Sequence, residues 1–217
     1  MVDAEQSVER DPLRSGWFLA LEGGEGAGKS TQARRLAEWL TGHGHEVVVT
    51  HEPGDTRVGA ILRRLLLDHD AGPLDARTEA LLFAADRAQH VAEVIRPALA
   101  RGAVVITDRY VDSSLAYQGA GRTLEVDEVA HLSVWATAGL VPDLTVVLDL
   151  PAPVGLARVP GVVDQMESEP LAFHERVRHG FLALASVAPH RYLVVDAVSD
   201  ADHVHEQIRA HVATVLP

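Results

Sequence analysis

The apolar run Trp17-Phe18-Leu19-Ala20-Leu21 leads through Glu22 into Gly23-Gly24-Glu25-Gly26-Ala27-Gly28-Lys29-Ser30. An apolar strand that ends in G-x-x-x-x-G-K-S, with a helical pattern over residues 29–40 behind it, admits few architectures. It is the strand, loop and helix of a phosphate-binding P-loop, and a nucleoside triphosphate such as ATP is the first ligand to expect. The glycines let successive backbone N–H groups curl around phosphate oxygens, and the N-terminus of the following helix adds partial positive charge. Gly23, Gly24, Glu25, Gly26, Ala27, Gly28, Lys29, Ser30 and Thr31 form this candidate nucleotide loop. Lys29 would bridge the β- and γ-phosphates, and the Ser30 hydroxyl would hold Mg²⁺.

Four further apolar runs follow, at residues 47–50, 104–107, 144–150 and 192–195. Near-continuous apolar strands are those buried on both faces of a parallel sheet. Helical patterns alternate with them at residues 58–67, 78–100, 126–138, 170–187 and 201–216. The expected fold is α/β: five parallel strands in one sheet with helices on both faces, forming one domain over residues 15–217. Residues 1–14 are polar, acidic and without an apolar core, so they read as a disordered extension and not as a signal peptide. Residues 151–168, punctuated by Pro151, Pro153, Gly155, Pro160 and Gly161, read as a short lid.

The charge balance narrows the partners. A net charge of −12 argues against sequence-independent binding to nucleic acid, which needs a basic footprint. No apolar run approaches the length of a membrane span, and the absence of cysteine suits a reducing, cytoplasmic setting. The twelve histidines include the spaced pairs His43/His45 and His203/His205, which read as surface residues because zinc would need three or four converging ligands.

A second cluster follows the third strand pattern, at Asp108-Arg109-Tyr110 and on through Ser113, Ser114, Tyr117 and Gln118. In an open α/β sheet, ligands sit beyond the carboxyl ends of the strands. Asp108 can orient Mg²⁺ and its waters, while Arg109 carries the planar fork suited to phosphate. The hydroxyl and amide groups behind them suit the edge of a nucleobase.

These segments together resemble the bacterial thymidylate kinase family. The resemblance runs from about Trp17 to the C-terminus and rests on ordered motifs: Glu22 through Thr31, then Thr50-His51-Glu52-Pro53-Gly54, then Thr78 through Arg87 with Phe83 inside it, then Asp108 through Gly119. Pro142-Asp143-Leu144-Thr145 and Phe173-His174-Glu175-Arg176-Val177 continue the series. The resemblance implies transfer of the γ-phosphoryl group of ATP to thymidine 5′-monophosphate (dTMP), with Mg²⁺, in a homodimer. It assigns Arg63 and Arg109 to the acceptor phosphate, Phe83 to the face of thymine, and Arg87, Ser114 and Gln118 to the base. Glu25 is assigned to the sugar and acceptor end, with Glu52 and Ser113 on the same substrate side. Tyr117 would crowd the 2′ position. Lys29 and Arg109 act on the transferring group, Asp108 and Ser30 on the metal. For the homodimer, the apolar stretch 132–140 with Trp135 would serve as the interface, although a core helix has the same pattern.

Two departures stand out. His51 occupies a position that related enzymes usually give to arginine, and Gln165, in Asp164-Gln165-Met166-Glu167, occupies the place of a lid arginine. The nearby basic residue Arg158 matches a position suited to packing on adenine, and it is the remaining candidate for lid charge. A kinase for another pyrimidine deoxynucleoside monophosphate, or a nucleotide-binding homologue with weak catalysis, therefore stays open at this level.

Overall fold

The computed structural model describes residues 15–122, 124–159, 161 and 164–216. The expectation for residues 1–14 lies outside them, as do Pro160, Val162 and Val163 of the lid segment. Strands β1 (Trp17–Gly23), β2 (Val47–His51), β3 (Val104–Asp108), β4 (Leu144–Asp149) and β5 (Tyr192–Asp196) form one sheet in the order β2-β3-β1-β4-β5, all parallel. The helices are α1 (Lys29–Gly42), α2 (Arg57–Leu67), α3 (Ala76–His90), α4 (Arg96–Ala100), α5 (Val111–Ser114), α6 (Val126–Thr137), α7 (Ala152–Arg158), α8 (Leu171–Val187) and α9 (Ala201–Val215).

Every residue of β1 is buried, and its alternate side chains feed two cores. Trp17, Leu19 and Leu21 join Leu36 and Leu40 of α1 and Ile208 and Val212 of α9. Phe18 and Ala20 face Val91, Ile95 and Leu99 on the other side. A third cluster joins Val147 of β4 to Tyr117, Met166, Phe173 and Phe181. Burial on both faces is what the unbroken apolar runs require.

The helical stretch expected over 78–100 is divided. Helix α3 widens into a π turn at Val91–Ile95 before α4 begins. Pro97 has no N–H to donate back one turn, and its ring crowds the carbonyl four residues earlier, so the wider turn accommodates it. A second π segment, Leu115–Gly121, extends α5 where the sequence pattern showed no helix. Packing forms it: a Cβ on Gly121 would stand 2.6 Å from the Phe173 ring of α8, so only glycine permits this approach. Within residues 151–168, expected to form a lid, α7 starts behind Pro151, with proline in its first turn, where no N–H is needed.

Strand register determines what meets at the carboxyl edge. Leu21 and His51 both pair with Asp108. The residues that follow, Glu22 onward, Glu52 and Arg109, therefore emerge side by side at the switch point between β1 and β3.

Candidate active site

Two cavities open at this edge. The first is lined by Glu25, Gly26, Ala27, Gly28, Lys29, Ser30 and Thr31, with Asp108, His51 and Arg158 around them. Gly26 has φ +63, and a Cβ there would stand 2.1 Å from the Gly155 carbonyl oxygen, so loop and α7 touch backbone to backbone. This contact brings Arg158 to the cavity wall, where its Nη1 donates to the Ala197 carbonyl at 3.1 Å. Gly23 and Gly24 contribute through their carbonyls, which accept from Lys29 Nζ at 3.2 and 2.8 Å. Ser30 Oγ donates to Asp108 Oδ2 at 2.5 Å. A hydroxyl and a carboxylate at this spacing are hard oxygen donors of the kind Mg²⁺ takes alongside phosphate oxygens and water.

The second cavity is lined by Glu25, Glu52, Arg63, Phe83, Arg87, Arg109, Ser113, Ser114, Tyr117 and Gln118, the whole set read from the sequence as substrate-binding. Phe83, whose helical spacing also suited a core position, is half-buried on the wall. Leu67, Pro53, Asp164, Met166 and Glu167 complete the lining, and sequence reasoning gave none of them a role. Glu25, Glu52, Arg63 and Arg109 line both cavities.

Arg109 stands at this junction with φ +72, an uncommon backbone for a residue with a side chain. Its Nη1 donates to Gly23 O at 3.2 Å and Ser113 Oγ at 3.1 Å, and its Nη2 to Glu25 Oε1 at 2.8 Å and Tyr117 OH at 3.1 Å. Tyr117 OH in turn donates to Glu25 Oε1 at 2.6 Å. Burial alone would raise the Glu25 carboxyl, but Arg109, then Lys29 and the Tyr117 hydroxyl, hold it at about 2. Burial and the neighbouring Arg109 charge push the Lys29 ammonium below its usual value.

Behind the wall of the second cavity lies a buried ionic network. Glu52 accepts from Arg87 Nε at 2.7 Å and lies 2.8 Å from His90 Nδ1. Arg87 also donates to Ser114 Oγ and the Tyr110 carbonyl, each at 3.0 Å. Gln118 donates to Glu79 at 2.9 Å. His51 lies 3.7 Å from Asp55, whose carboxylate also accepts from Thr50. Arg63 Nη1 donates to the Pro53 carbonyl at 2.7 Å, next to the cis Glu52-Pro53 peptide. His90 carries no special signal in the sequence, because only the packing of the end of α3 against β2 places it between Glu52 and Thr50, whose hydroxyl lies 2.5 Å from its Nε2.

Glu22 is a further residue without a role in the motif reading. Fully buried, it accepts from the Tyr110 and Ser113 amides at 2.8 and 3.2 Å and from Ser113 Oγ at 2.6 Å, which holds the turn after Arg109. Burial, then the Asp112 charge, pushes its carboxyl up to about 7. A carboxyl raised on folding binds its proton more tightly in the folded chain, so its contribution favours folding most at acidic pH and declines as pH climbs from about 4.5 to about 7. Glu22→Gln is expected to reduce the fall in melting temperature between pH 5.5 and 8. An unchanged pH slope in differential scanning calorimetry would refute this assignment.

The family model described as Thymidylate kinase matches residues 21–208. This chain belongs to the thymidylate kinase family. A thymidylate kinase of Clavibacter michiganensis is 51% identical over 205 residues, spanning 93% of this chain and 97% of that one. One from Leifsonia xyli is 53% identical over 199 residues, spanning 90% and 94%. Among solved structures, the thymidylate kinase of Ehrlichia chaffeensis superposes with a TM-score of 0.75 at 32% identity, covering 91% of this chain and 99% of that chain. The thymidylate kinase fold thus carries both cavities at the P-loop edge of the sheet. Among the described residues, no helix is long and apolar enough to cross a membrane.

Proposed function

We infer that this protein transfers the γ-phosphoryl group of ATP to dTMP, giving dTDP and ADP, with ATP in the P-loop cavity and dTMP in the adjoining one. The observation that carries this reading is the shared border: Arg63, Arg109, Glu25 and Glu52 line both cavities at once. Phosphoryl transfer asks the protein mainly for in-line placement of two anions and for charge that balances them.

Phe83 offers an aromatic face to thymine, and Arg87, Ser114 and Gln118 address its edge. Their orientation is set by Glu52 and Glu79, which hold the arginine and the amide. Tyr117 and Glu25, tied together, wall the sugar and crowd the 2′ position. Arg63 and Arg109 neutralise the acceptor phosphate, with Ser113 bracing Arg109. An acceptor oxygen then attacks the γ-phosphorus as the bond to the bridging β–γ oxygen breaks, and the electron pair leaves with ADP. The loop amides, from Gly23 to Thr31, cradle the donor phosphates, and Lys29 exchanges its carbonyl partners for phosphate oxygens as charge shifts toward the leaving group. Arg158 packs beside the adenine end and supplies cationic charge to the lid. Ser30 and Asp108 would hold Mg²⁺, which supplies charge neutralisation on the donor phosphates when bound.

A coupled ADP-release assay tests this with ATP, Mg²⁺ and a panel of dTMP, dUMP and dCMP. Turnover should require an acceptor and be fastest with dTMP. ADP release without acceptor, or a preference for dCMP, would overturn it.

The reading extends to a homodimer working in the cytoplasm. Within 132–140, Ser133, Ala136, Thr137 and Leu140 are buried, while Trp135 is 82% exposed and Val134 59%, so one face packs on the core and the other supports an interface. Leu81 on α3 and Ile61 on α2 are also exposed, and α3 packs against both α2 and α6, so the helices that carry these side chains are neighbours. An apolar surface of this kind favours burial against a second copy. Trp135→Glu should convert a dimer to a monomer in sedimentation velocity. A wild type that sediments as a monomer at micromolar concentration would refute the dimer.

A further inference from the structure

Gln165 replaces an arginine expected to reach the donor phosphates, yet its side chain reaches elsewhere. Its Nε2 donates to the Asp68 carbonyl at 2.7 Å and to the Gly72 carbonyl at 3.2 Å, and its backbone N–H donates to the Leu67 carbonyl at 3.1 Å. Leu67 is the last residue of α2 and Asp68 its C-cap. The final carbonyls of a helix have no intrahelical donors, so the backbone bond satisfies the Leu67 carbonyl of α2 from a segment nearly a hundred residues away. The side-chain amide ties the same segment to the Asp68 carbonyl, which also takes the Ala71 N–H, and to the Gly72 carbonyl beyond it. Because both partners are carbonyls, only the amide nitrogen can face them.

The geometry points to Gln165 as a positioning residue for the acceptor: a latch that fixes turn 164–169 against the end of α2, and so shapes the dTMP cavity. This inference rests on the reading of that cavity as the dTMP site.

Four observations connect the latch to the cavity. Its neighbours Asp164, Met166 and Glu167 line the cavity together with Leu67 and Arg63. The turn is internally rigid, since the Glu167 amide donates to Asp164 Oδ1 and the Asp164 amide to Glu167 Oε2, each at 2.9 Å. Its other flank is held as well, by the ion pair of Arg122 with Glu169 and by burial of Met166 against the Tyr117 and Phe173 cluster. On α2, Arg63 lies one helical turn before Leu67, so fixing the end of α2 also fixes an arginine at the junction of the two cavities. Two bonds from one amide thereby set the separation between the acidic turn and Arg63.

The full-length protein carrying Gln165→Glu, Gln165→Lys or Gln165→Arg tests this. Glutamate keeps the length but cannot donate and sets a charge against two carbonyls. Lysine and arginine can still donate, and a cation suits a helix C-terminus. Steady-state kinetics should be paired with calorimetric titration of dTMP alone. Gln165→Glu should raise KM and Kd for dTMP by about tenfold, as expected for the loss of one to two hydrogen bonds. KM for ATP should stay within about twofold, and Gln165→Lys should restore dTMP affinity. Unchanged dTMP affinity in Gln165→Glu would overturn the inference while leaving the kinase reading intact. So would a kcat raised more than tenfold by Gln165→Arg at constant dTMP affinity, because the position would then address the donor. A wild type that neither binds nor phosphorylates dTMP would overturn the underlying reading, and the latch with it.

Discussion

Replacing Arg109 by alanine should lower kcat/KM for dTMP on the order of 10³-fold, since one well-placed electrostatic donor is worth about 10²- to 10³-fold and the proposed function also has this residue neutralise the acceptor. The guanidinium serves Gly23, Glu25, Ser113 and Tyr117 at once, and it borders both cavities. Its loss removes the leading cation that offsets burial of the Glu25 carboxyl, which leaves Glu25 without its main partner and the monophosphate with less positive charge to meet it. Lysine keeps the charge but is a single point and cannot span four acceptors. Arg109→Lys should therefore still lose on the order of 10²-fold, mostly in KM for dTMP if the residue anchors the acceptor and in kcat if it acts mainly on the transferring group. Either variant retaining more than a tenth of wild-type kcat/KM would remove Arg109 from the site.

The largest loss of stability is expected from Glu52→Ala. Glu52, Arg87 and His90 are each almost wholly excluded from solvent, so deleting the carboxylate strands a buried guanidinium. Breaking a buried ion pair from one side costs about 3–5 kcal/mol, against a total stability of about 5–15 kcal/mol for a typical domain. In a chain of this length the melting temperature should drop by about 10 °C. Adding Arg87→Met to Glu52→Ala should recover much of that loss, because an apolar side chain of similar length has no charge left to solvate. The double variant should still bind dTMP poorly, since the group beside Ser114 is gone. A single variant within 1 kcal/mol of wild type in urea unfolding would show that the network contributes little.

These two residues illustrate different degrees of legibility. Arg109 was visible because it follows an apolar strand in Asp108-Arg109-Tyr110, and Glu52 because it lies in a recognisable motif. Arg63, between apolar neighbours on an amphipathic helix, was selected by family resemblance alone. His90 and Glu22 have no role in the sequence reading, because a histidine at a helix end and a glutamate at a strand end look ordinary until tertiary packing brings Glu52 to one and the Tyr110–Ser113 turn to the other. At Gln165 the sequence shows the missing lid charge, and only the fold shows that the amide in its place reaches the Asp68 carbonyl at the end of α2.

The sequence by itself determined the alternation of strand and helix, the parallel class of the sheet and the phosphate-binding loop. Each of these follows from local periodicity or from backbone requirements within a few residues. Strand order, the π turns at Val91–Ile95 and Leu115–Gly121, the convergence of four charged residues on one border and the docking of turn 164–169 were decided only by tertiary structure. They depend on which buried faces meet and which orphan polar groups find partners far along the chain. Such pairings are settled by packing and hydrogen-bond satisfaction across the folded molecule, not by any local pattern.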